Sequence, residues 1–343
     1  AKINPSTFGA DDLAYVVNDL WGIHQKINIS GNITGKVCNL NAKELKLNYG
    51  NKTFIHTDFH ISGLPDPDKM QMNVQIHNLL TDNNDLSKIS LPPFNEKHPL
   101  PLPDQLKLIG NVAFTGNISG TLNDLAANGR LNTGIGAIIA DVKVKNDTIK
   151  KQMAVEGIIQ TQELNVGKLA ENEATIGTAS TNLNIHAVIG KNNKIKANVN
   201  GKISSVRLLD YTYQNITLDA SIDDKKIDSK ISINDPSVTL DLTAKGELDK
   251  KASIFTTLNI DRADLFSLKL NTTDSMCLVS AKLFADLTGS NVDDITGKLT
   301  LEKVYYANQS GSISMQDFVL DLNDYFSYKK ISLSSDLIDV EIK

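Results

Sequence analysis

The chain has 343 residues, of which 41% are hydrophobic and 22% are charged, a composition typical of folded proteins rather than disordered ones. Its 35 basic and 40 acidic residues are mixed along the sequence and give a net charge of −5. No basic stripe is present that could neutralise phosphates, so we expect no nucleic-acid partner. The two cysteines, Cys38 and Cys277, lie far apart near apolar residues, which favours packed free thiols over a disulfide or a reactive site.

Membrane and targeting segments are not evident in the sequence. No run of 18 or more apolar residues occurs, and residues 1–20 lack the basic, apolar and small-residue regions of a signal peptide. Two interpretations remain open: the chain is soluble, or it is a segment of a protein that is anchored elsewhere.

Helical periodicity is confined to short stretches. The first predicted helix carries Leu13, Val16, Val17, Leu20 and Trp21 on its apolar face, a second spans residues 79–89, and residues 163–170 predict a single turn. A proline-rich loop is predicted over residues 92–103. We expect such helices to cover an exposed sheet face, although they could also plug or cap a groove.

Alternation of apolar and polar residues dominates the rest of the chain and predicts strands with one dry and one wet face. It begins at Met70, Met72, Val74 and Ile76. Turns rich in Asn, Asp and Gly, such as 223–226 and 234–236, separate the strands at intervals of about 12 residues, which predicts about 25 strands. The candidate residues of the dry face are Leu106, Leu108, Val112, Phe114, Ile118, Ile138, Val142, Val144, Ile195, Val199, Ile203, Ile216, Leu218, Ile222, Val238, Leu240 and Leu242.

A glycine motif recurs with a spacing of 85 residues. The segment at 31–35 (Gly-Asn-Ile-Thr-Gly) matches 116–120 (Gly-Asn-Ile-Ser-Gly), and 201–204 follows after another 85 residues. A weaker match lies at Gly289. Because the alternation is uninterrupted and neither end has a polar cap, we expect residues 1–343 to form one continuous segment of a larger protein, with quasi-repeats that start near 31, 116, 201 and 289.

A meander of this length is too long for an open flat sheet. It predicts an all-β fold, a long curled antiparallel β-sheet (β-taco, solenoid-like groove) with a few short helices. The dry face is almost purely aliphatic, which suits a cavity for acyl chains, since only apolar contact and exclusion of water are needed there. The same residues could instead pack against one another as an ordinary core, and the residues alone leave both interpretations open.

The order of several short segments along nearly the whole chain resembles one family. These segments are 12–15 (Asp-Leu-Ala-Tyr), 29–35 (Ile-Ser-Gly-Asn-Ile-Thr-Gly), 61–65, 114–120, 129–136, 211–216 and 233–236. Together they resemble the TamB family in its Bacteroidota form, whose members are the inner-membrane-anchored subunits of the translocation and assembly module. The family's N-terminal membrane helix and C-terminal conserved domain have no counterpart in this sequence.

The resemblance implies an AsmA-like, bridge-like lipid-transfer protein in the periplasm, anchored in the inner membrane by a segment outside this chain. Phospholipid is the implied cargo, moved between the inner and outer membranes. A TamA-like outer-membrane barrel is the implied partner through other parts of the protein, with a supporting role in outer-membrane protein assembly. Two alternatives stay open: a scaffold that offers its sheet edge to nascent outer-membrane strands, and an adhesin-like surface stalk.

Catalytic and metal-binding motifs are not recognisable. The sequence contains no serine nucleophile elbow, phosphate-binding glycine loop or His-Glu metal motif. His56 and His60 are the only histidines close in sequence, and on a strand such a pair lies about 13 Å apart, too far to share a metal. We therefore predict a protein that is not an enzyme, without catalytic, cofactor-binding or metal-binding residues.

Overall fold

The structure, a computed structural model, describes residues 2–9, 26–64, 66, 69–88, 107–271, 273–291, 294–325 and 328–342. It divides into two compact units, Ala1–Glu173 (unit 1) and Ala174–Lys343 (unit 2). In both units, strands that are neighbours in the chain pair in antiparallel fashion, in the order expected of a meander.

Unit 1 holds nine described strands and two short helices. The helices are α1 (Asn83–Leu86), which follows β5, and α2 (Val166–Leu169), which follows β9. The strands are β1 (Lys2–Gly9), β2 (Lys26–Lys36), β3 (Asn39–Tyr49), β4 (Thr53–Ser62), β5 (Gln71–Asp82), β6 (Asn111–Thr121), β7 (Asp124–Thr133), β8 (Gly136–Asp147) and β9 (Gln152–Asn165).

Unit 2 holds eleven described strands and one 3₁₀ turn, Lys191–Asn193. The strands are β10 (Ile176–Ile189), β11 (Ile195–Leu208), β12 (Tyr211–Asp223), β13 (Lys226–Asn234), β14 (Val238–Glu247), β15 (Ala252–Asp264), β16 (Cys277–Gly289), β17 (Thr296–Asn308), β18 (Gly311–Tyr325), β19 (Tyr328–Ser335) and β20 (Asp339–Ile342).

The predicted all-β class, an antiparallel sheet with few short helices, is confirmed. The described residues form 20 strands rather than about 25, because many strands reach 13 or 14 residues. The turns predicted at 223–226 and 234–236 are present between β12 and β13 and between β13 and β14. The single helical turn expected within 163–170 is α2. The predicted helix over 13–21 and the predicted loop over 92–103 lie outside the described residues.

The predicted helix over residues 79–89 is wrong. Residues 79–82 continue strand β5, and only Asn83–Leu86 is helical. The cause is a β-bulge: His56 and Thr57 of β4 pair with Asn78 and Ile76, which leaves His77 as an extra residue. A bulge shifts the alternation by one position, so the apolar residues after it resemble a helical pattern.

Similar bulges interrupt other strand pairs. In β3, both Lys43 and Glu44 oppose the single residue Asp58 of β4, and Glu44 has a φ of 52°. In unit 2, register shifts occur between β14 and β15 near Leu240 and between β16 and β17 near Ser280. Bulges bend strands and increase their twist, in keeping with the curled sheet expected from the sequence.

Buried residues of unit 1 gather where β5, β7 and β9 end and where β6 and β8 begin. We call this end of the strands the capped rim of unit 1, because α1 and α2 both lie there. Its apolar core consists of Ile109, Val112, Ile135 and Leu164, against which Leu131, Ile138, Val166 and Leu169 pack. The helix α2 thus covers one end of the strands rather than the middle of the sheet.

Unit 2 has an equivalent capped rim where β13 and β15 end and β12, β14 and β16 begin. Val238, Ala263 and Leu268 are buried there, and Tyr211, Tyr213, Ile233, Leu240, Ile260 and Leu265 pack around them. Tyr211 and Tyr213 contact each other edge to face, with ring centroids 4.9 Å apart. As in unit 1, the well-buried apolar cluster lies at one end of the strands.

Buried aspartates close turns at the capped rim of unit 2. Asp235 accepts hydrogen bonds from the Tyr211 hydroxyl at 2.5 Å and from the backbone N–H groups of Gln214 and Ser237. Burial and the hydrogen bond to Asp235 raise the pKa of Tyr211. The carboxylate of Asp264 accepts from the Ser267 hydroxyl at 2.7 Å and from two backbone N–H groups. Burial opposes ionisation of Asp264, but these donors outweigh it, so its pKa is lowered.

The glycines of the 85-residue spacing occupy different strands. Gly31 lies in β2, Gly116 in β6, Gly201 in β11 and Gly289 at the end of β16. Four strands separate the first pair in strand order and five separate each later pair, so a constant residue spacing does not correspond to a constant number of strands. The quasi-repeats, and the expectation of one continuous segment, stay predictions.

Candidate functional site

The sheet of unit 1 has one apolar face, built from rows of side chains that cross the strands. In each row, the residues are direct partners in neighbouring strands and therefore point to the same side. The middle row runs from β2 to β9 through Ile33, Ala42, Phe59, Val74, Ile118, Ala127, Val142 and Gly157. The row nearer the capped rim runs through Ile29, Leu47, Ile55, Leu79, Phe114, Leu131, Ile138 and Thr161.

Unit 2 has an apolar face of the same construction. One row crosses nine strands, from β10 to β18, through Leu183, Gly201, Leu218, Ile231, Leu242, Leu258, Leu283, Leu301 and Phe318. A second row, nearer the capped rim, runs through Thr181, Ile203, Ile216, Ile233, Leu240, Ile260 and Ala281. We call these surfaces the apolar face of unit 1 and the apolar face of unit 2.

The candidate residues named from the sequence mostly lie on these faces. Val112, Ile216 and Val238 are fully buried at or near the capped rims. Ile195, at the opposite end of its strand, is 39% exposed. Leu108 lies ahead of β6, and Leu106 falls outside the described residues. The others are half-buried: Phe114, Ile118, Ile138, Val142, Val144, Val199, Ile203, Leu218, Ile222, Leu240 and Leu242.

Several residues of the faces were not singled out from the sequence. The alternation continues in β15 and β16, where Leu258 and Leu283 are direct partners in the same row as Leu242. The same spacing of two would have found them. Ala42 and Phe59 in β3 and β4 were harder to find, because the bulge at Glu44 breaks the alternation in β3.

The reverse side of each sheet is polar. In β14, Asp241 accepts a hydrogen bond from the Ser232 hydroxyl at 2.6 Å, and Lys245 pairs with Asp228 at 2.8 Å. Thr243 lies between them, adjacent in the chain to Leu242 but on the opposite face. The sheet is therefore amphipathic, and its polar side is suited to water.

Phe114 lies across two glycines on the apolar face of unit 1. Gly116 and Gly129 are direct partners in β6 and β7. A Cβ atom added to Gly129 would lie 2.9 Å from the Phe114 ring and 2.5 Å from the Thr115 carbonyl oxygen. The two glycines thus leave space for the ring to lie flat against the sheet, which keeps this part of the face smooth and apolar.

The faces are suited to binding an extended apolar molecule. Rows from Ile216 to Ile222 of β12 span six residues, about 20 Å at ~3.4 Å per residue. That height exceeds one leaflet of a bilayer's hydrocarbon core, about 15 Å. The residues of the long row of unit 2 are half-buried rather than buried, so they retain surface that a ligand can cover.

The chain was compared with protein-family models, with curated proteins and with solved structures, and none of the three comparisons gave a match. In the parts of the chain that the structure describes, no helix has both the length and the apolar character needed to cross a membrane. The resemblance to the TamB family therefore stays a prediction from sequence.

Proposed function

We propose that the apolar faces bind the acyl chains of phospholipid, and that the chain is a periplasmic segment of an envelope-spanning protein that conducts phospholipid between the inner and outer membranes. One observation carries the proposal. Apolar rows cross eight or nine consecutive strands within a unit, yet their residues away from the capped rims remain half-buried. A self-sufficient core would bury these side chains as it does at the capped rims.

Acyl chains are the ligand class that such a face favours. Each methylene group taken out of water contributes about 0.8 kcal/mol, and an aliphatic surface needs no hydrogen-bond partner from its ligand. The phospholipid headgroup would remain in water at the end of the strands, where charged residues such as Lys196 and Asp223 lie. No reacting group is required for this activity.

The wider role is supported by the sequence resemblance alone. The inner-membrane anchor, the TamA-like partner and the supporting role in outer-membrane protein assembly all come from the likeness to the TamB family. The described contacts bear on the binding of lipid chains and not on these partners.

Lipid retention tests the proposal. The chain is produced in a bacterial periplasm, and its bound lipid is measured by native mass spectrometry and by lipid extraction. Leu242→Glu places a charge in the middle of the apolar face of unit 2, whereas Thr243→Glu places the same charge on the polar side. We expect phospholipid to accompany the unmodified chain and the Thr243→Glu variant, and to be strongly reduced with Leu242→Glu.

Circular dichroism and urea unfolding establish that both variants are folded before lipid is compared. Absence of lipid from the unmodified chain, or equal lipid in both variants, would contradict the proposal. Crosslinking of the strand edges to unfolded outer-membrane protein, with no lipid on the faces, would favour the scaffold alternative.

A further inference from the structure

Two histidines and a glutamate come together on the polar side of unit 1. Glu44 lies in β3, His56 in β4 and His77 in β5. One potential ligand atom from each of the three side chains lies within 4.8 Å of the other two. His56 Nε2 is 2.9 Å from a carboxylate oxygen of Glu44, and the two imidazole rings are 4.8 Å apart between centroids.

Three neighbouring strands build this cluster through their bulges. Glu44 is one of two β3 residues that oppose Asp58, and His77 is the extra residue of β5. Asp58 accepts a hydrogen bond from the Glu44 backbone N–H at 2.7 Å and from the Lys43 ammonium group at 2.9 Å. The Lys43 hydrogen bond, and next the Glu44 N–H, lower the pKa of Asp58. A stable carboxylate therefore fixes the bulge that positions Glu44.

His77 carries the most informative feature of the cluster. Its Nε2 atom is shielded from solvent, and no hydrogen-bond partner satisfies it. The nearest carboxylate oxygen with which it could pair belongs to Asp58, at 3.7 Å, too long for a hydrogen bond. A buried nitrogen without a partner is unfavourable, and a metal ion in front of it would supply the missing interaction.

We propose that Glu44, His56 and His77 bind a divalent transition-metal ion of the zinc type, with Asp58 as a positioning residue. Two imidazoles and a carboxylate are a ligand set that zinc accepts, at about 2.0–2.2 Å from the metal and thus roughly 3.4 Å from one another. The Glu44 side chain is 65% exposed, so it can turn by the ångström or so that closure requires. The ion would link β3, β4 and β5 across the polar side.

The site is independent of the proposed lipid binding, because its side chains point away from the apolar face. Sequence reasoning missed it by considering only His56 and His60, which strand geometry keeps apart. His60 is hydrogen-bonded to Asn41 at 2.8 Å in the same two strands as Glu44 and His56, which makes it a matched control.

Metal titration of the full chain tests the inference. Zinc binding is measured by isothermal titration calorimetry, and cobalt(II) is used as a visible-absorption probe of the coordination. We expect one zinc ion per chain, unchanged affinity in His60→Ala, and affinity reduced at least about tenfold in His56→Ala and His77→Ala. Glu44→Gln, which keeps the shape of an exposed side chain, should also weaken binding and alter the cobalt spectrum.

Circular dichroism of each variant separates loss of the site from loss of the fold, and Glu44→Gln serves if a histidine variant does not fold. The inference is overturned if the chain binds no zinc, or if His77→Ala and Glu44→Gln bind it as tightly as His60→Ala. Neither result affects the lipid measurement.

Discussion

The carboxylate of Asp85, in α1, accepts a hydrogen bond from the backbone N–H of Lys52 at 2.7 Å. The N–H groups of Asn51 and Thr53 and the Thr53 hydroxyl donate to the same carboxylate. Asp85 is 1% exposed, so the turn between β3 and β4 is closed by a buried anion from a helix more than 30 residues away in the chain.

Replacing Asp85 by asparagine should destabilise unit 1. The amide group would direct its own N–H donors at backbone donors, leaving buried N–H groups without an acceptor at a cost of about 1–3 kcal/mol. We expect the urea midpoint to fall for Asp85→Asn and to stay nearly constant for Asp219→Asn, an exposed aspartate on the polar side of β12. Equal midpoints in the two variants would show that the Asp85 hydrogen bonds contribute little.

Stability should also depend on pH through Asp85. Burial acts to raise its pKa, but the backbone and hydroxyl donors outweigh burial and hold the pKa below its ordinary value of 3.8. Because the folded pKa is depressed, this contribution is present above the unfolded value and is lost as the pH falls through the folded pKa. Urea unfolding from pH 7 to pH 3 should therefore show a smaller loss of stability in Asp85→Asn than in the unmodified chain.

The glycine pair beneath Phe114 predicts a steric effect on the apolar face of unit 1. Gly129→Ala would place a methyl group 2.5 Å from the Thr115 carbonyl oxygen and 2.9 Å from the Phe114 ring. Displacing the strand and the ring should cost about 1–3 kcal/mol. Asn128→Ala, the adjacent change on the polar side, should cost much less, and thermal unfolding of the two variants measures the difference. A Gly129→Ala variant as stable as Asn128→Ala would show that the ring moves freely.

The two thiols should differ in reactivity. Cys277 is fully buried at the start of β16 and is hydrogen-bonded to Tyr306, whereas Cys38 is exposed in the turn between β2 and β3. A thiol reagent should label one cysteine per native chain and two per unfolded chain. Rapid labelling of both thiols in the native protein would contradict the buried position of Cys277. The expectation of packed free thiols thus holds in full for Cys277 only.

The pairing of strands was largely predictable, because alternation fixes which residues share a face. Val74, Ile118 and Val142 were assigned to dry faces of three separate strands, and the structure aligns them in one row. The sequence failed where a bulge inserts a residue. After His77 the apolar positions change parity, and the strand from Leu79 to Asp82 was therefore mistaken for a helix.

The candidate site was predictable in its residues but not in its burial. Val112 and Leu242 follow the same alternation, yet Val112 packs in the core of the capped rim whereas Leu242 stays half-buried on the open part of the face. That difference depends on contacts with α2 and with the segment around Ile109, which are distant in sequence from either strand. The cluster of Glu44, His56 and His77 also depends on such long-range placement.

Site-specific photocrosslinking gives the most direct test of the account. A photoreactive side chain is introduced at Leu258, on the apolar face of unit 2, or at Thr257, its neighbour on the polar side of β15. The protein is produced in a bacterial periplasm and irradiated in intact cells, and adducts are identified by mass spectrometry. The account predicts phospholipid adducts at position 258 and essentially none at 257. Equal lipid adducts at both positions, or none at 258, would contradict the claim that the apolar face binds acyl chains.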